Sequence, residues 1–236
     1  MLTDALRYPF RGSHARDIWA VLVGSGLGAA LLGRFAVGLY PAVLWLLPAV
    51  LVLVPVSAGL GVCRAVVATS IAGNDEVPQT GSLSAFVTPG ATTVGLSLVY
   101  LLVPFLAMLV TVAGAGSLSP DAVAGSGGLV VTAGSTAVVV LVLLVSYLYP
   151  VAVARLADGD GLFGSLDPRP VAYVLRDSTY LLTWGVVVTA GGIALTGFLV
   201  FLTGSNVVGL AAGVAAVYLS LVASRLLGVG YASARR

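Results

Sequence analysis

YLLTWGVVVTAGGIALTGFLVFL, residues 180–202, runs without a charged side chain, and only Thr203, Gly204, Ser205 and Asn206 separate it from VVGLAAGVAAVYLSLVASRLLGVG, residues 207–230. Each run exceeds the ~20 apolar residues that a helix needs to cross ~30 Å of hydrocarbon. A link that short makes the two helices antiparallel neighbours. Four more stretches of the same kind precede them: Ile18–Tyr40, Pro41–Val67, Ala91–Ala113 and Gly128–Leu156. Every carboxylate lies at the ends of the stretches or between them: Asp4, Asp17, Asp75, Glu76, Asp121, Asp158, Asp160, Asp167 and Asp177. The fold class expected is therefore all-α: an integral membrane bundle of six transmembrane helices in three hairpins, forming a single transmembrane domain over residues 1–236.

Composition agrees. Of the 236 residues 59% are hydrophobic and 8% charged, against about 25% charged in soluble domains. Such a chain cannot cover a water-facing surface. The net charge of +2 is too small to suggest nucleic acid. Cys63 is the only cysteine, which leaves neither an internal disulfide nor a thiolate metal cluster. No metal or cofactor is expected.

All eleven basic residues are arginine. With the N-terminus inside, Arg7, Arg11, Arg16, Arg64, Arg155, Arg169, Arg176, Arg225, Arg235 and Arg236 fall on the cytoplasmic side and only Arg34 near the outer one. That bias predicts both termini in the cytoplasm of a cell whose plasma membrane the chain spans. A cleaved signal peptide is the competing reading of the N-terminus, but the first apolar run is too long and has no clear small-x-small site before Arg34.

The three hairpins share a loose pattern. Each returning helix ends in a small residue followed by Arg, at Cys63-Arg64, Ala154-Arg155 and Ser224-Arg225. Short segments of mixed polarity, Ala5–Phe10, Leu83–Val87 and Leu162–Leu166, precede the hairpins and read as interfacial turns or helices. Gly73-Asn74, Val77-Pro78, Asp158-Gly159 and Asp167-Pro168 mark turns in the two longest connections. Tyr8, Trp19, Tyr147, Tyr149, Tyr180, Trp184 and Tyr231 at one boundary, and Tyr40, Trp45, Phe198 and Phe201 at the other, read as aromatic belts.

The pieces DALRYPFRG (4–12), LGVCRAVVATS (60–70), SLVYLLVPFLAML (97–109), LYPVAVARLADGDG (148–161) and SRLLGVGY (224–231), in that order, resemble a haloarchaeal family filed as domain of unknown function 4013. The resemblance covers nearly the whole chain. It implies a small multi-pass protein of an archaeal plasma membrane and carries over no catalytic residue. The segment GNDEVPQTGSLSAFVTPG (73–90) departs from the family's more acidic, Trp-bearing loop.

Three sets of candidate site residues follow. Arg64, Arg155, Arg176 and Arg225 form a cytoplasmic set for anionic lipid headgroups, or simple anchors of the positive-inside kind. Pro41, Pro48 and Pro55 recur every seven residues on one helix face. Pro48 and Pro55 each remove a backbone donor. The helix should bend or break there, either lining a small polar pocket with Ser57 or being repaired by its neighbours. Gly24 and Gly28, and Ala212, Ala216, Ser220 and Ser224, sit four apart and suit close helix packing, within the chain or across a dimer.

Catalysis finds no constellation. His14 is the sole histidine, no zinc, phosphate or dinucleotide motif is present, and no buried base could activate a serine. The chain is expected to be no enzyme. Two functions fit. One is an accessory, scaffold or assembly component acting through helix and lipid contacts, its partners membrane lipids and another membrane protein or a second copy. The other is a transporter or channel for a neutral or anionic small solute, because no carboxylate lies within the spans to couple protons or cations.

Overall fold

The computed structural model describes residues 2–79, 81–116, 126–204 and 206–235. The connection predicted over Gly114–Gly127, including Asp121, lies mostly outside the described residues, as does Ser205. The chain is all-α, and six helices are long and apolar enough to cross a membrane.

The first span is Ala15–Leu39. The second, Val43–Ile71, is assembled from a 3-10 turn Val43–Trp45 and helices Leu46–Leu51 and Leu53–Ile71. The third is Ser84–Gly116 and the fourth Ser126–Asp158. The fifth is Ser178–Thr203 and the sixth Val207–Ala234. Short helices Leu2–Arg7, Gly161–Ser165 and Pro168–Leu175 and a 3-10 turn Tyr8–Phe10 complete the described elements.

Carboxylates outside the spans cap helices. The Asp177 side chain accepts from the backbone N–H groups of Thr179 and Tyr180 at the start of the fifth span. Asp167 does the same for Arg169, and Asn206 for Gly209. These acceptors satisfy donors that the first helical turn leaves free. Gly73 (φ +79°) and Gly159 (φ +109°) end the second and fourth spans. Their left-handed conformation lets Asn74 N–H reach the Thr69 carbonyl and Asp160 N–H the Arg155 carbonyl, reversing the chain toward the next hairpin.

The expected break in the second span falls at Val52, in the turn that Pro55 cannot close with an N–H. The chain nevertheless stays helical there: Val52 has φ −59° and ψ −24°, and bonds from Val52 N–H to Pro48 O and from Val56 N–H to Val52 O bracket the gap. The third span begins at Ser84, so the interfacial turn expected at Leu83–Val87 is instead mostly its first turn.

Burial concentrates at the end that carries both terminal segments and falls away from it. Tyr8, Ile18, Leu22, Val62, Val66, Phe86 and Leu221 form one buried cluster there, and Val67, Val151, Ala154, Val171, Val174, Tyr180 and Tyr231 another. Toward the far end, Leu102, Phe105 and Leu109 of the third span and Leu143 of the fourth are about half exposed. In hydrocarbon such surface needs no protein cover, because lipid tails are as apolar as leucine. The 33-residue third span is about 50 Å long at ~1.5 Å per residue, well beyond the ~30 Å of hydrocarbon.

Two backbone approaches set the second span against the third. A Cβ on Gly61 would stand 1.9 Å from the Phe86 carbonyl oxygen, and one on Gly90 1.6 Å from that of Ser57. The second and third spans cross with main chain against main chain, which only glycine allows.

Candidate functional site

Arginine organises the buried end. Arg64, near the middle of the helix Leu53–Ile71, reaches across to the second hairpin. Its Nη1 donates to the Pro89 carbonyl (3.2 Å) and Thr92 Oγ1 (2.6 Å), and its Nη2 to the Leu156 carbonyl (2.7 Å). Leu156 O belongs to the last turn of the fourth span, where carbonyls lack intrahelical partners and the helix dipole is negative.

Arg155 donates from Nε to Asp160 Oδ2 (2.8 Å) and from Nη1 to the Asp167 carbonyl (2.7 Å), folding the connection back under the fourth span. Arg225, on the sixth span, returns to the first hairpin. It donates to the Asn74 carbonyl (2.5 Å) and Asp75 Oδ1 (2.6 Å). Asp4 Oδ2 lies 3.7 Å away, and the guanidinium carbon stands 4.8 Å from the Tyr8 ring centroid.

Arg155 is 6% exposed and Arg225 4%. This corrects the expectation that Arg155 and Arg225 meet headgroups; Arg64 is half-buried. All three donate to protein acceptors, although the buried Nε of Arg225 has none. A guanidinium taken out of water costs several kcal/mol unless its hydrogen bonds are replaced, and carbonyls and carboxylates of the neighbouring spans and connections replace most of them. Of the set, Arg176 alone is exposed, as is Arg169 one helix earlier.

The aromatic residues there also turn inward. Tyr8 is fully buried, with its hydroxyl donating to the Glu76 carbonyl (3.2 Å) and 3.3 Å from Thr69 Oγ1. Burial pushes that hydroxyl above its ordinary pKa. Asp4 is held below the ordinary carboxylate range, chiefly by the hydrogen bond from Arg11 at 2.6 Å. Tyr180 donates to the Tyr147 carbonyl, Tyr147 to that of Leu175, and Trp184 to that of Ser146. Tyr8 and Tyr180, read from the sequence as belt residues, are core.

At the far end Arg34 donates to the Leu202 and Gly204 carbonyls, with its shortest bond at 2.7 Å. It ties the first span to the turn between the fifth and sixth by satisfying a helix C-terminus.

Midway along the spans, a groove of 330 Å³ opens between the first, second, fifth and sixth. Pro55 lies in its wall, above Gly59 and Cys63; Ser25 and Ala29 face them from the first span. The sixth span contributes Ala216 and Ser220. Ser220 Oγ donates to the Ala216 carbonyl of its own helix (2.8 Å). The groove is thus apolar, where the proline spacing suggested a polar pocket. Ser57 and Pro48 are buried elsewhere; the Ser57 carbonyl faces Gly90 of the third span.

The small residues divide likewise. Gly28 packs on Pro55, and Ala212 and Ala216 pack on Gly197 of the fifth span, while a Cβ on Gly24 would meet open space. Among the described residues no three of His, Cys, Asp and Glu gather in one place. His14 Nδ1 lies 3.4 Å from Asp17 Oδ2.

Sequence reasoning missed Asp75, Asn74 and Asp4 as the partners of Arg225, and Asp160 as that of Arg155. Only the last is close enough in the chain to be guessed, at five residues' separation.

Residues 41–208 match the family described as "Protein of unknown function (DUF4013)", and the chain belongs to that family. No curated protein and no solved structure matches the chain.

Proposed function

We propose that this multi-pass member of the DUF4013 family is a non-catalytic scaffold of an archaeal plasma membrane, with both termini in the cytoplasm, acting through helix and lipid contacts. One observation carries the reading. The donors of Arg64, Arg155 and Arg225 join hairpin one to hairpin two, the fourth span to the connection that follows it, and hairpin three back to hairpin one. A carrier that alternates its access must open at each membrane face in turn. Charged hydrogen bonds, several of them buried, hold the hairpins together at one end and oppose such opening.

Polar groups within the spans support the same reading. Thr111, Ser146 and Thr189, on three different spans, each donate to a carbonyl of their own helix. They form no file of free hydroxyls. The exposed apolar surface of the third and fourth spans suits lipid, another membrane protein or a second copy. Transport of a neutral or anionic solute is the competing function, with exposed arginines such as Arg169 and Arg176 to attract an anion.

Reconstitution of the full chain in liposomes loaded with halide- and pH-sensitive dyes separates the two. The scaffold reading expects dye traces matching protein-free vesicles. Protein-dependent halide entry would overturn it in favour of a carrier or channel.

A further inference from the structure

We propose that the groove between the first, second, fifth and sixth spans is a binding site for one hydrocarbon chain of a membrane lipid. The site depends on the chain's being embedded in the bilayer and not on its being a scaffold.

Depth and chemistry choose the occupant. The lining lies in the central part of the four spans, where the surrounding solvent is acyl chain. Water is a poor filler, because a buried water needs two to four polar partners. The only polar side chains on the wall are Ser25, Cys63 and Ser220, and the Ser220 hydroxyl is already bonded to its own helix. An empty apolar void forfeits dispersion contacts on every wall.

Length then sets a spanning helix aside. From Pro55 to Cys63 the groove runs eight residues along the second span, ~12 Å at ~1.5 Å per residue. A transmembrane helix of a partner would follow ~30 Å of hydrocarbon, whereas part of one hydrocarbon chain fits the length of the groove.

The entrance is lateral. The second and fifth spans share no extended contact. Leu195 stands exposed at the lip, and Leu22 and Cys63 close the end nearer the arginines. Glycine and alanine on the walls leave room for the chain where leucine would fill it. Gly191 is the clearest case: it lines the groove, and a Cβ there would meet nothing within 4 Å.

The test uses the full chain in liposomes containing a phospholipid with a diazirine on its acyl chain, followed by irradiation and mapping of adducts by mass spectrometry. Adducts on groove positions such as Gly59, Cys63 and Ala194 should exceed those on Leu102 and Leu143, equally apolar and lipid-facing, by about fivefold or more. Gly191→Phe should fill the groove and cut those adducts by a similar factor. Gly192→Phe serves as the control, since Gly192 likewise has open space but lines a different groove. Both variants should retain wild-type adducts on Leu102 and Leu143, and Gly191→Leu repeats the test with a smaller side chain. Groove labelling no stronger than at Leu102 and Leu143, or labelling that Gly191→Phe and Gly191→Leu leave unchanged, would overturn the proposal.

Discussion

Replacing Gly90 with alanine puts a methyl group where the second span's main chain already is. Its Cβ would stand 1.6 Å from the Ser57 oxygen and 2.5 Å from the carbonyl carbon. Ordinary contact begins at 3.4 Å, so the helices must part by about 1.8 Å at the crossing. Neither obstacle is a side chain that could rotate aside. Overpacking a tight interior costs about 1–3 kcal/mol. The upper half of that range applies, because parting the helices also loosens Val62 and Phe86, which are buried beside the crossing. At about 2–4 °C per kcal/mol for a chain of this size, the Tm in detergent should fall by about 5–10 °C. Gly95→Ala is the control: it lies on the same helix, and its added methyl would meet nothing within 4 Å. It should be neutral or stabilising, since alanine is the better helix former. Equal thermal stability of Gly90→Ala and Gly95→Ala, followed by circular dichroism, would refute the main-chain crossing.

Removing the acidic partners of Arg225 should harm the protein more than removing Arg225. The Asp75 and Asp4 side chains are 74% and 43% exposed and stay solvated when the cation leaves, whereas Asp4→Asn with Asp75→Asn leaves an Arg225 side chain that is 5% exposed with the Asn74 carbonyl but no counter-charge. Stranding a buried charge costs about 3–5 kcal/mol; Arg225→Met should therefore unfold at a higher temperature than the double variant. Asp4 also sets a pH response. Its folded pKa is depressed, so its contribution is present above the ordinary carboxylate value of about 3.9 and is lost as pH falls through the lower folded value. Fluorescence of Trp19, whose indole N–H donates to the Pro9 carbonyl, should report loosening of the N-terminal segment only below about pH 4. Arg34→Leu should raise hydrogen exchange around Leu202–Gly204 without affecting the arginine-rich end, because it frees only those carbonyls.

The spans were legible in the sequence because hydrocarbon length and exclusion of carboxylate act residue by residue. Their ends moved by a few residues where a cap or a positive-φ glycine decided them, as at Asp177 and Gly73. Arg64, Arg155 and Arg225 were legible as boundary residues, but a positive-inside bias is the same whether an arginine meets lipid or protein. What distinguishes them is contact at long range: Arg225 and Asp75 are 150 residues apart. The helix Pro168–Leu175 was hidden by its two prolines, which sit in its first turn and do not interrupt it. Gly61 and Gly90 were invisible among 30 glycines, since the need for them arises only when two spans cross. The groove belongs to the same class, being space left between four helices.

Distances across the arginine-bonded end test the central claim most directly. Spin labels at Ser13→Cys and Ala172→Cys in a Cys63→Ser background occupy exposed positions near that end, outside the Arg225 and Arg155 networks. Double electron–electron resonance in liposomes should return one narrow distribution, unchanged by halide or by pH between about 5 and 8, a window above the ordinary carboxylate pKa. A second, longer distance whose population shifts with halide would show that this end opens, and would contradict a scaffold locked by Arg64, Arg155 and Arg225.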